Sequence, residues 1–98
     1  MKFEVFGKVG CAKCKSTKEK LTHILGRAGV SDGVVLQFHD TETIEGQAEG
    51  AFNDVFQIPT VILRDHAGEA LARWEGRVPP SVEIQAFLGS AKGAVAVE

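Results

Sequence analysis

The chain has 98 residues and a mass of 10.5 kDa, 44% hydrophobic and 24% charged, which fits one ordinary globular domain that folds without staples and excludes mechanisms needing two large domains. Eleven Lys and Arg against thirteen Asp and Glu give a net charge of −2 and a pI near 5.9, whereas a nucleic-acid binder of this size would be basic. Aliphatic runs such as Val61-Ile62-Leu63 fall far below the roughly 20 residues that span a bilayer, and Met1-Lys2-Phe3-Glu4-Val5 carries charge where a secretory signal places its apolar segment, so a cytoplasmic protein is expected.

Residues 2–7 alternate Phe3 and Val5 with Lys2 and Glu4 and finish on Phe6-Gly7, a short strand closed by a glycine turn. Cys11 and Cys14 follow at once. From Cys14 onward, Thr17, Leu21, Ile24, Leu25 and Ala28 recur at spacings of three and four, the buried stripe of a helix, and Gly29 is placed to stop it. Cys14 lies on that stripe and Cys11 at or before the first turn, so one sulfur should face inward and the other the solvent. Lys13, Lys15, Lys18 and Lys20 fall mostly elsewhere around the helix.

Val34 to His39 is β-prone and apolar on both faces at first, as in a strand covered on two sides, and completes a βαβ unit. Ile44, Ala48, Ala51, Phe52 and Val55 then recur at helical spacing, although Gly46 and Gly50 each weaken a helix by about 1 kcal/mol relative to alanine. Ile58-Pro59-Thr60 leads into Val61-Ile62-Leu63, a turn at Asp65-His66-Ala67-Gly68, and a second β-like run to Trp74: a hairpin. Gly76 breaks the strand, Pro79-Pro80 sets up a helix start, and Val82, Ile84, Phe87 and Leu88 form an apolar face ending at Gly89. Residues 1–90 thus read as one domain and 91–98 as a flexible tail. Trp74 and the phenylalanines are expected in the core, and His23 and His66 at the surface.

Cys11 and Cys14 are the only cysteines. A disulfide between them closes a four-residue loop, worth about 2 kcal/mol before strain against about 3 for a fifteen-residue loop, so a structural staple is a poor explanation. A lone close pair in a cytoplasmic chain points to catalysis or metal binding.

A Cys-X-X-Cys opening the first helix of a βαβ, α, ββ, α chain resembles the thioredoxin and glutaredoxin superfamily, over roughly residues 2–89. Ile58-Pro59-Thr60 resembles the family's cis-proline loop, and the run from Pro59 to Gly76 its final hairpin. The resemblance implies an α/β thioredoxin-like fold, with a central four-stranded mixed sheet flanked by helices, and a thiol-disulfide oxidoreductase that needs no cofactor or metal beyond the Cys11–Cys14 disulfide. Protein disulfides are the implied substrates, with Ile58, Pro59, Thr60 and Gly76 contacting them, and a reductase or glutathione supplies electrons. A monomer with no membrane or nucleic-acid partner is expected. The chain departs from the thioredoxin pattern by Gly10 before Cys11 and Ala12-Lys13 between the cysteines. The acidic residue that thioredoxins bury falls at Val5, with Glu4 one place off and expected on the other face. Glu75-Gly76-Arg77-Val78 replaces the glutathione-binding Gly-Gly and Asp of glutaredoxins.

Disulfide exchange needs a thiolate, and a free cysteine is only a few per cent ionised near pH 7. A helix N-terminus favours the anion by roughly 0.3 to 1 kcal/mol, and up to about 2 when partly buried. Lys8, Lys13 and Lys15 add positive charge, and Ala12 and Lys13 sit between the sulfurs. Cys11 is therefore the expected nucleophile and Cys14 the residue that resolves the mixed disulfide. His39 ends a strand at the sheet edge, where α/β proteins gather their sites, and is a lesser candidate. Two alternatives remain open: a glutathione-linked glutaredoxin, and a metal-binding module in which the two cysteines supply half a tetrahedral site.

Overall fold

The structure, a computed structural model, describes residues 1–28 and 33–96, with residues 28 and 89–96 described by their backbone alone. The elements run β1 (Lys2–Gly7), α1 (Ala12–Ala28), β2 (Val35–Asp40), α2 (Ile44–Phe52), β3 (Thr60–Arg64), β4 (Ala70–Glu75) and α3 (Ser81–Ala96). The four strands form one mixed sheet in the order β2-β1-β3-β4, with β1 parallel to β2 and antiparallel to β3, and β3 antiparallel to β4. None of the described helices is long and apolar enough to cross a membrane.

The period-two alternation of β1 divides the molecule. Phe3 and Val5 pair with Leu63 and Val61, which lie opposite Ala72 and Trp74, so these side chains share one face. Leu21, Ile24 and Leu25 of α1 and Ile84 and Leu88 of α3 cover that face and make the main core. The Trp74 indole N–H donates to Glu83 Oε1 at 2.8 Å, which satisfies the polar end of an otherwise buried ring. On the other face Phe6 and Ile62 are buried, and Phe6 stacks on His39 with centroids 4.5 Å apart.

Several expectations change on this face, in the loops and at the C-terminus. Val35 is 58% exposed rather than covered on both sides: it pairs with Lys2, on the sheet face opposite Phe3 and Val5, and α1 and α3 pack on the Phe3 and Val5 face; β2 is also an edge strand. In α2 the apolar residues Ile44 and Phe52 point to solvent at 83% and 85% exposure, while Gly46 and Gly50 face inward. The helix approaches so closely that a Cβ on Gly46 would overlap the Asp40 carbonyl. Thr43 caps it, donating to the Asp40 carbonyl and accepting from the Gly46 N–H at 3.0 Å. Phe56 is also exposed, so the phenylalanines are not uniformly core. At the other end α3 runs through Gly89 to Ala96 where a stop and a tail were expected, since alanine-rich residues 91–96 favour helix; Val82 faces solvent. Gly29, the expected stop of α1, lies outside the described residues, as do Val97 and Glu98 of the expected tail.

Candidate active site

The loop between β1 and α1 turns at Gly10, whose φ of +90° lies in the left-handed region where a side chain is strained. Cys11 then serves as the N-cap of α1. Its carbonyl accepts from the Lys15 N–H at 3.0 Å, and its Sγ accepts from the Cys14 N–H at 3.2 Å. No acidic residue stands in the first turn to offset the positive end of the helix. One helical turn puts Cys14 on the buried stripe, where it is 1% exposed, while Cys11 is half-buried. The two are joined by a disulfide with Cα atoms 5.2 Å apart. Cys14 packs against β1 at Gly7: a Cβ there would stand 2.7 Å from the Cys14 sulfur, so glycine is required for the sulfur to reach this depth.

Gly7 also links the cysteines to the proline loop. Phe6 pairs with Thr60 in the antiparallel ladder, which brings Pro59 alongside Gly7. The Ile58–Pro59 peptide is cis. Pro59 and Thr60 are buried; the Thr60 hydroxyl donates to the Gln57 carbonyl at 2.7 Å, and the Gly76 N–H donates to the Pro59 carbonyl at 2.8 Å. The loop and Gly76, which also has a positive φ of 68°, are therefore one unit. Ile58 is partly exposed, and among the described residues its peptide groups make no hydrogen bond within the chain.

No protein-family sequence model matches the chain, and no curated protein matches it in sequence. Solved structures do match. Thioredoxin 1 from Thermosipho africanus superposes with a TM-score of 0.68 at 22% identity, covering 100% of both chains. A thioredoxin from Thermus thermophilus gives 0.60 at 27% identity over 99% of this chain and 78% of that one. Thioredoxin O2 from Arabidopsis thaliana, in its oxidized state, gives 0.72 at 13% identity over 91% and 72%. The fold is thioredoxin-like. A thioredoxin-like fold carrying a Cys-X-X-Cys pair at disulfide distance fits a redox role.

The lysines of this thioredoxin-like domain divide into two groups. Lys8 and Lys15 line a groove of about 370 Å³ together with Cys11, Cys14, Lys18 and Phe38, whereas Ala12 and Lys13 are exposed outside it. Ile58 lines a separate depression of about 420 Å³ under α2, with Gly46, Gly50 and Phe56. Pro59 and Thr60 line neither. His23 and His66 are exposed, as their positions in the sequence imply.

Glu4 and His39 do not face the sulfurs. They lie buried on the opposite side of the sheet from Val5 and Cys14, with His39 Nε2 3.1 Å from Glu4 Oε1 and Arg64 Nε bound to Glu4 Oε2. Arg64 reaches on to the Asn53 side chain, and Arg73 donates to the Asn53 and Asp54 carbonyls at 2.6 and 2.7 Å. Two arginines on the outer positions of β3 and β4 thus hold the segment, with Asp54 at φ +54°, that leads into the proline loop. Only a charge at the end of the apolar run 61–63 hinted at Arg64, and hydropathy does not report on carbonyl acceptors.

Burial pushes the Glu4 carboxyl up, but hydrogen bonds from Arg64 and His39 and the charges of Arg64 and Lys2 outweigh it, so the group stays ionised below its ordinary value of 4.5. Its contribution to stability is full above that value and disappears as acid protonates the folded form. The gap in thermal midpoint between wild type and Glu4→Gln is therefore expected to be widest at neutral pH and to narrow as the pH falls below about 4.5. Melting curves running parallel from pH 7 to 3 would refute this role.

Proposed function

We propose that the protein is a dithiol oxidoreductase that reduces protein disulfides, with Cys11 as nucleophile and Cys14 as resolving thiol. The single observation that supports this reading is the unequal placement of two sulfurs one helical turn apart: one half-buried at the N-cap of α1, the other shut behind it against Gly7. In the reduced protein the Cys14 N–H and the helix N-terminus act on Cys11 directly and favour its thiolate. The thiolate attacks a target disulfide to form a mixed disulfide, and Cys14 then attacks Cys11, restoring the internal disulfide and releasing the reduced target. The unpaired peptide of Ile58, beside the loop that abuts Gly7, is suited to hold an extended target chain by strand-like pairing.

An insulin-reduction assay with dithiothreitol as electron source tests the reading. Wild type is expected to accelerate precipitation of the reduced insulin chains, and Cys11→Ser to fall to the uncatalysed rate. A Cys11→Ser variant as active as wild type would refute it.

A further inference from the structure

Charge is segregated in this molecule. Residues 1–28 hold seven of the eleven Lys and Arg residues but two of the thirteen Asp and Glu, so β1, the cysteine loop and α1 are basic while the rest of the chain is acidic. The groove that contains both sulfurs lies on the basic side, bordered by Lys8, Lys15 and Lys18, with Glu19 as its one acidic lining residue. The Lys18 ammonium sits 4.2 Å from the centroid of the Phe38 ring, which lines the same groove. Among the described residues, the ion pairs of this protein involve Lys2, His39, Arg64, Arg73 and Arg77, and no carboxylate lies within 4.0 Å of Lys8, Lys15 or Lys18. Three ammonium groups without a carboxylate partner among the described residues, set around an open groove, make a field that attracts anions to the sulfurs.

We propose that this groove selects its substrates by charge: its preferred targets are extended segments whose disulfide is flanked by acidic side chains. The proposal rests on the redox reading above and adds the substrate class to it. Carboxylates beside a disulfide repel an attacking thiolate and oppose build-up of negative charge on the leaving sulfur, so such disulfides exchange slowly with small thiols. Lys8, Lys15 and Lys18 reverse that penalty. The electron pair of the Cys11 thiolate forms a bond to one target sulfur, and the target S–S bond breaks with its pair passing to the other sulfur. Cys14 loses its proton to solvent and its thiolate attacks the Cys11 sulfur; the bond between Cys11 and the target breaks, and the target sulfur it held leaves as thiolate. The protein dithiol is oxidised to the Cys11–Cys14 disulfide as the target is reduced to two thiols.

The test uses the reduced 98-residue chain and three synthetic peptides of equal length, each with one disulfide flanked by Glu, Ser or Lys. Single-turnover oxidation rates are measured at low and high salt and divided by the rate of each peptide with free dithiothreitol. The Glu-flanked peptide is expected to exceed the Ser-flanked one by about tenfold at low ionic strength, with the Lys-flanked peptide slowest. In about 0.5 M salt the spread should shrink to roughly twofold. The double variant Lys15→Glu, Lys18→Glu should invert the order; because the readout is a ratio between peptides, any general change in Cys11 reactivity cancels. Equal normalised rates for the three peptides, or the same order in wild type and the charge-reversed variant, would overturn the charge preference while leaving the redox reading intact. If no peptide oxidised the protein faster than it did Cys11→Ser, the redox reading would fall and this proposal with it.

Discussion

A Cys14→Ser variant is expected to attack target disulfides and then stop, accumulating a one-to-one covalent adduct with them while turnover drops to background. The expectation follows from burial. Cys11, half-buried at the N-cap, is open to a target, whereas Cys14 is 1% exposed behind it and meets an incoming chain only after Cys11 has been linked to it. The first step needs Cys11 alone and survives the substitution. The second needs a sulfur already positioned beside the mixed disulfide, and that proximity is what makes it effectively unimolecular. A serine hydroxyl in the same place is not ionised near neutral pH and does not attack sulfur. The adduct should survive denaturing electrophoresis without reductant and vanish when dithiothreitol is added. Turnover at the wild-type rate, or no adduct with any disulfide substrate, would remove Cys14 from the mechanism.

Alanine at Gly46 is expected to destabilise the fold by about 1 to 3 kcal/mol, lowering the melting midpoint by at least about 4 °C, even though alanine in a helix is ordinarily favourable by about 1 kcal/mol. The new Cβ would overlap the backbone carbonyl of Asp40 and press on the Thr43 hydroxyl that caps α2. A backbone group cannot rotate aside as a side chain can, so either α2 lifts from the sheet or the end of β2 moves. The contrast with Gly26→Ala is the internal control. Gly26 is in α1, exposed, with no atom within 4 Å of a Cβ, and there alanine should stabilise by up to about 1 kcal/mol. Thermal or urea unfolding of the two variants checks both signs; stabilisation by Gly46→Ala would contradict the close packing of α2 on the sheet.

These glycines mark the limit of what the sequence disclosed. Strong periodicity made β1, α1 and the β3–β4 hairpin legible, and within α1 it separated Cys14 from Cys11 because the stripe of Thr17, Leu21, Ile24 and Leu25 has only one inward side. The same logic misled at α2, where hydropathy marks Ile44 and Phe52 but the helix is drawn inward by residues with no side chain at all. The exposure of β2 was hidden for a related reason: Val34 to His39 reads as a strand covered on both faces, but Val35 lies on the face opposite Phe3 and Val5, and the pairing of β1 with both β2 and β3 leaves β2 on the edge. At the site, alternation along β1 put Glu4 on the face away from Cys14, as found. What it attracts there, Arg64 and His39, lies 60 and 35 residues away in sequence and is brought close only by the sheet. The proline loop was visible as Ile58-Pro59-Thr60, but its anchoring by Arg73 through backbone carbonyls leaves no mark on residue type.

The most direct test of the central claim is the pH dependence of alkylation at each thiol of the reduced protein, with the two sites resolved by mass spectrometry. Iodoacetamide is expected to modify Cys11 first, with an ionisation midpoint below that of free cysteine, and Cys14 slowly and only at higher pH. Equal rates at the two sites, with the same unshifted midpoint, would contradict it.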